Sequence, residues 1–158
     1  HSRLHMRTMH KTTAPTPICS SADYNVTGVL SSQINEVWPV VAPLIERSIE
    51  YSDGKFALAD VRRFLEEQTC QLWIIYNAAG VAGALVTQII NYPQDRRLIF
   101  LFCAGVEADQ WLHLSEVIKN YAREQGCSCV EIYGRPGWIK KLKPFGFRPI
   151  HIVLTAPL

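Results

Sequence analysis

The sequence predicts an α/β (α+β) fold: a mixed, mostly antiparallel sheet flanked by helices. Three observations carry this expectation. Residues 71–102 contain three strand-like apolar runs separated by tight turns. Two segments before them repeat apolar residues at helical spacing. After them helical and strand patterns alternate, which suits crossover connections to parallel strands. The expected order is β-α-α-β-β-β-α-β-α-β.

Length and composition fit such a fold. The 158 residues can bury a sizeable core, and 48% hydrophobic with 19% charged residues are globular values. The net charge of +2 comes from the first twenty residues, where Arg3, Arg7 and Lys11 meet no acid. Without those three, 13 basic side chains face 14 acidic ones, so nucleic-acid binding is not indicated. No apolar run has membrane-spanning length, and a soluble protein is expected. Cys19, Cys70, Cys103, Cys127 and Cys129 show no metal spacing; Cys127-Ser128-Cys129 is CxC rather than CxxC. They read as reduced thiols of a cytoplasmic protein, with no metal site expected. Residues 1–22, rich in His, Thr, Pro and Ser, read as a flexible leader. Residues 23–158 read as one domain.

Each element has its own justification. Residues 24–30 suit a short first strand, and Ser31 and Ser32 offer helix caps. Ile34, Val37, Trp38, Val41, Leu44, Ile45 and Ile49 mark a helix over 33–50, with a bend or late start expected at Pro39 and Pro43. Tyr51 to Lys55 form a breaking loop. Leu58, Val61, Phe64 and Leu65 mark a second, shorter helix. Leu72 to Ile75 read as a strand buried on both faces, residues 77–80 as a hairpin turn, and 81–91 as the return strand with a bulge near Gly83. Residues 96–102 complete the meander. Trp111, Leu114, Val117, Ile118 and Tyr121 give a third helix within 110–125, stopped at Gly126. On the next strand Val130 and Ile132 point one way, Glu131 and Tyr133 the other. Residues 134–138 turn sharply into a basic helix, and 147–154 read as the last strand.

This order, the meander at 71–102 and the ending Lys143-Pro144-Phe145-Gly146-Phe147 resemble the GNAT (GCN5-related N-acetyltransferase) superfamily. Val37-Trp38-Pro39 and Gly134-Arg135-Pro136-Gly137-Trp138 resemble a branch found in tailed-phage and prophage genomes. The resemblance implies an N-acyltransferase that moves an acetyl group from acetyl-CoA to an amine. The cofactor would lie between the fourth and fifth strands, with its pyrophosphate on the loop entering the third helix. It implies cofactor contacts at Phe102, Cys103, Ala104, Gly105, Gln110, Trp111 and Arg135; on the fifth strand Glu131 is the candidate base and Tyr133, on the same face, the substitute acid. The partners would be acyl-CoA and an amine on a small molecule or a protein, with no membrane; a homodimer is compatible with an exposed strand edge.

Several residues keep two readings. The phosphate loop holds one glycine, Gly105, and two carboxylates, Glu107 and Asp109, where phosphates would rest. Asp109 reads as cap of the third helix and Glu107 as an outward side chain favouring its dipole. The family's usual tyrosine falls at Leu142, which cannot donate a proton. Arg135 reads equally as an anion ligand and as a surface partner of Glu131. Glu131 reads as base or as simple ion pair, Tyr133 as acid or as packing. Cys103 reads as a buried thiol. A GNAT fold that has lost transfer and serves as a binding or assembly protein of phage origin is the alternative.

Overall fold

The computed structural model describes residues 23–158. The leader expected at 1–22, with Cys19, lies outside the described residues. The sheet has five strands in the spatial order β1 (Asn25–Val29), β2 (Gln71–Asn77), β3 (Gly80–Asn91), β4 (Arg96–Gly105) and β5 (Cys129–Ile132). The first four pair antiparallel and β5 runs parallel to β4. The predicted mixed sheet is therefore present.

Helices cover both faces. α1 (Ile34–Ile49) and α2 (Leu58–Glu66) bury Ile34, Val41, Ile45, Val61 and Leu65 against one face of β2, β3 and β4. α1 follows its 3.6-residue stripe without interruption. Pro39 and Pro43 lie inside the helix on its exposed side, where water can satisfy the carbonyls they leave unpaired. At the start of α2, Asp60 Oδ2 accepts the Ala57 N–H at 2.9 Å. The opposite face packs Trp73, Ile75, Leu85, Leu98 and Phe100 against Ile118 and Ala122 of α4 (Ser115–Glu124) and Leu142 of α5 (Gly137–Leu142).

Three features differ from expectation. The third helix is broken: α3 (Ala108–Trp111) is one turn, followed by a 3-10 turn at Leu112–Leu114 and then α4. Its cap is Glu107, held in the left-handed region at φ 54°, so Asp109 stands inside the first turn instead of capping it. Residues 147–154 form no strand, so the expected order loses its last element and only one crossover, from β4 to β5, is made. The bulge expected near Gly83 is present, with Ala82 the extra residue between the pairs Ile75–Gly83 and Tyr76–Val81.

Candidate active site at the parting of two strands

The site arises where two strands separate. The parallel ladder runs from Arg97–Cys129 to Phe100–Ile132 and stops. A last bond, Tyr133 N–H to the Phe100 carbonyl, is stretched to 3.4 Å. β4 continues on β3 alone to Gly105, while the chain after β5 turns away into α5. At the parting β4 is bulged: Thr87 pairs with Phe100 and Val86 with Phe102, leaving Leu101 extra. The bulge puts Leu101 and Phe102 together on the α1 face. The alternation thereby resets, and Cys103 follows Phe100 onto the opposite face.

A narrow apolar cavity of about 30 Å³, room for little more than one water, lies on that face. Phe100, Cys103, Trp111, Ile132, Trp138 and Leu142 line it. On the other side of the parting, Ser48 of α1 accepts the Cys103 N–H through Oγ at 3.3 Å. Ser48 follows Val41 and Ile45 on the buried stripe of α1. A hydroxyl on such a stripe signals a polar partner, the one trace of this contact in the sequence.

The phosphate-loop residues have mostly structural partners. A Cβ on Gly105 would meet the Ala82 carbonyl oxygen at 2.5 Å and Gly83 Cα at 2.7 Å, so this glycine is required by strand packing. The buried Trp111 donates Nε1–H to the Val106 carbonyl at 2.8 Å. The Val106 N–H is bonded to Ala82 and the Gln110 N–H to Glu107. Ala108 and Asp109 open α3, where backbone N–H groups have no intrahelical acceptor. Neither carboxylate stands alone there. Glu107 Oε2 accepts the Tyr24 hydroxyl at 2.5 Å, and Asp109 lies 3.6 Å from Lys141 Nζ. Phe102 packs edge-on against Phe56 on the α1 face, away from the cleft; Ala104 pairs with Ala84.

Glu131, Tyr133 and Arg135 are not brought together. Glu131 is ion-paired with Arg97, which also holds Asp95 at 2.7 Å. The Arg135–Glu131 pair, one of the two readings of Arg135, is not formed; Arg97 holds the carboxylate. Arg135 instead lies 3.8 Å over the ring of Tyr51. That stack joins the loop after α1 to the loop after β5. The nearby Tyr92 hydroxyl, with burial second, pushes the Tyr133 pKa up to about 12. Burial pushes the Cys103 thiol up to about 12 as well, so it is not a thiolate nucleophile at neutral pH. Among the described residues, no three His, Cys, Asp or Glu side chains gather as a metal site.

No protein-family model matches the chain, and no curated protein does. Solved structures do. A probable acetyltransferase superposes with a TM-score of 0.61 at 17% identity, over 85% of this chain and 97% of its own. The fold is that of the GNAT acetyltransferases. An aminoglycoside acetyltransferase from an uncultured soil metagenomic sample superposes with a TM-score of 0.64 at 12% identity, covering 85% of this chain and 98% of that one. An acetyltransferase of Trypanosoma brucei gives 0.61 at 12%, covering 86% and 100%. Among the described residues no helix is long and apolar enough to cross a membrane.

Proposed function

We propose that this GNAT-fold protein is a cytoplasmic N-acyltransferase that moves an acetyl group from acetyl-CoA to an amine. The observation that carries the reading is the bulged parting of β4 and β5 over an apolar cleft. The acyl methyl and the thioester sulfur are apolar, and such a cavity would suit that end of the donor. Acetyl-CoA supplies the activated acyl group. The amine nitrogen attacks the thioester carbon, the C–S bond breaks, and the amine proton and the leaving thiolate each need a partner.

The Cys103 N–H faces the parting and is held only by a 3.3 Å bond to Ser48. An acyl oxygen gaining negative charge would find its donor there. Ala104, Gly105 and Trp111 would shape the wall beside it, with Phe102 packing behind. The amides around Ala108 to Gln110 would meet the pyrophosphate, which the Tyr24–Glu107 bond and Lys141 favour by drawing off the two carboxylates. Arg135, stacked on Tyr51, keeps its guanidinium edge for an anion. Tyr133 stays protonated near neutral pH and would serve as acid on turning from Tyr92; Glu131 would take the amine proton on release from Arg97.

A binding or assembly role without transfer is favoured by one observation: Glu131 is held by Arg97, and the cleft floor at Leu142 carries no proton donor. The deciding experiment follows CoA release by chromatography, with aminoglycosides, polyamines and peptide N-termini as acceptors. We expect turnover on at least one, lowered roughly 10²-fold in Tyr133→Phe. Absence of turnover across the panel would overturn the transferase reading.

A further inference from the structure

The chain leaving β5 and the chain leaving α1 meet in one contact at the parting. Arg135, just past the last bond of the parallel ladder at Tyr133, lays its guanidinium 3.8 Å over the ring of Tyr51. Tyr51 follows Ser48 by one turn, and its N–H bonds to the Ser48 carbonyl at 3.2 Å. Ser48 in turn holds the Cys103 N–H through Oγ. The stacked pair therefore stands about 5 Å along the helix axis from the residue that marks the parting.

The pair is built to meet an anion from solvent. Tyr51 is 59% exposed, and Arg135 is exposed as well. A guanidinium lying flat on a ring keeps its edge N–H groups open, a fork that fits a carboxylate. Among the described residues no ion pair engages Arg135. The loop that presents the ring carries a cost. The Ser52 hydroxyl is buried without a hydrogen-bond partner among the described residues, and Asp53 is held in the left-handed region at φ 58°. Stability alone does not explain such a loop. Ile49 and Phe56, on either side of Tyr51, pack on the α1 face, whereas the cavity and the start of α3 lie on the other. The sheet thus separates Arg135 from the place of the donor's pyrophosphate, and its anion belongs to the acceptor.

The proton inventory selects the amine. Glu131 must leave Arg97 before it can act as base, so an amine that is already partly neutral has the advantage. Near pH 7.5 about a quarter of chain N-termini are neutral, against roughly one lysine side chain in a thousand. We propose that the site takes the N-terminus of a peptide chain whose first residue is acidic, with that side-chain carboxylate on the edge of Arg135 and the α-amine at the parting. The amine nitrogen bonds to the acetyl carbon, the C–S bond breaks, and the amine proton ends on the CoA thiol. Acceptor identity rests on the transferase reading; the anion contact at Arg135 does not.

The test uses a hexapeptide that begins with aspartate and contains one lysine, beside its counterpart beginning with asparagine. Isothermal titration reads binding, and mass spectrometry reads acetylation from acetyl-CoA. We expect the aspartate peptide to bind about tenfold more tightly. Arg135→Gln should abolish that ratio, Tyr51→Leu should narrow it, and Tyr51→Phe, which keeps the ring, should retain it. Acetyl is expected on the α-amine, with the charge preference seen in KM rather than kcat. Equal affinities, or a preference that survives Arg135→Gln, would overturn the proposal, as would transfer chiefly to the lysine. Charge-selective binding without transfer would overturn the transferase reading and leave Arg135 as the anchor of a bound acidic N-terminus.

Discussion

Gly105 shows how one residue type answers to two demands. Its single occurrence in the loop suggests a phosphate contact, but its surroundings require a hydrogen at Cα because the Ala82 carbonyl lies where a Cβ would go. Gly105→Ala is expected to cost about 1–3 kcal/mol in urea unfolding, as an overpacked site does. An unchanged midpoint would contradict the packing role. The thiols make a second residue-scale prediction. Cys70 is pushed up to about 11 and Cys103 to about 12, both by burial, while Cys129 is exposed. Iodoacetamide at pH 8 should therefore modify Cys129 and spare Cys70 and Cys103, as read by peptide mass spectrometry. The linked pH effect has a definite sign. Both buried thiols bind their protons more tightly in the folded state, so their contribution is intact below about pH 9 and is lost as pH rises toward 12. Cys103→Ala should flatten that alkaline decline. What the sequence could not reveal at this scale is pairing between distant side chains. Glu107 finds Tyr24 and Glu131 finds Arg97 across long chain separations, and no local pattern encodes either.

At the scale of elements, periodicity was enough to locate β2, β3, β4, α1 and α2, because each buries a regular face. The third helix was harder. Its apolar stripe continues through Trp111 and Leu114, yet Trp111 must turn inward to lie on Gly83 and Gly105, and the helix breaks to allow it. The bulge at Leu101 leaves no mark in a uniformly apolar run, so the residue facing the cleft could not be read directly. The 147–154 stretch has strand composition, but a strand exists only when it is paired, and among the described residues this stretch pairs with none. The β4–β5 pair gives a prediction of its own. Arg97 spans Asp95 and Glu131 at the closed end of the parallel ladder, with its side chain one-third exposed. Arg97→Met leaves Glu131 and Asp95 without this partner and should lower the thermal unfolding midpoint. Glu131→Gln should cost less, since the amide still accepts from the guanidinium. Equal losses, seen in thermal unfolding, would contradict this account of the ladder.

For the whole molecule, helices on both faces of a twisted sheet leave one place where the sheet itself opens, at the free half of β4 beside the end of β5. The fold class was legible from the order of elements, whereas an opening between the fourth and fifth strands was implied only by the GNAT resemblance. Which side chains line it was only partly legible, because Trp138, Leu142 and Ser115 arrive from helices whose rotation depends on tertiary packing. The central claim is that this opening receives the acyl end of acetyl-CoA. Amide NMR spectra recorded during titration with acetyl-CoA test it most directly. Saturable shifts are expected at Leu101, Cys103, Ile132 and Tyr133, with an affinity between micromolar and millimolar, and weakened in Cys103→Phe. An unchanged spectrum at millimolar acetyl-CoA, or shifts confined to surfaces away from the parting strands, would contradict it.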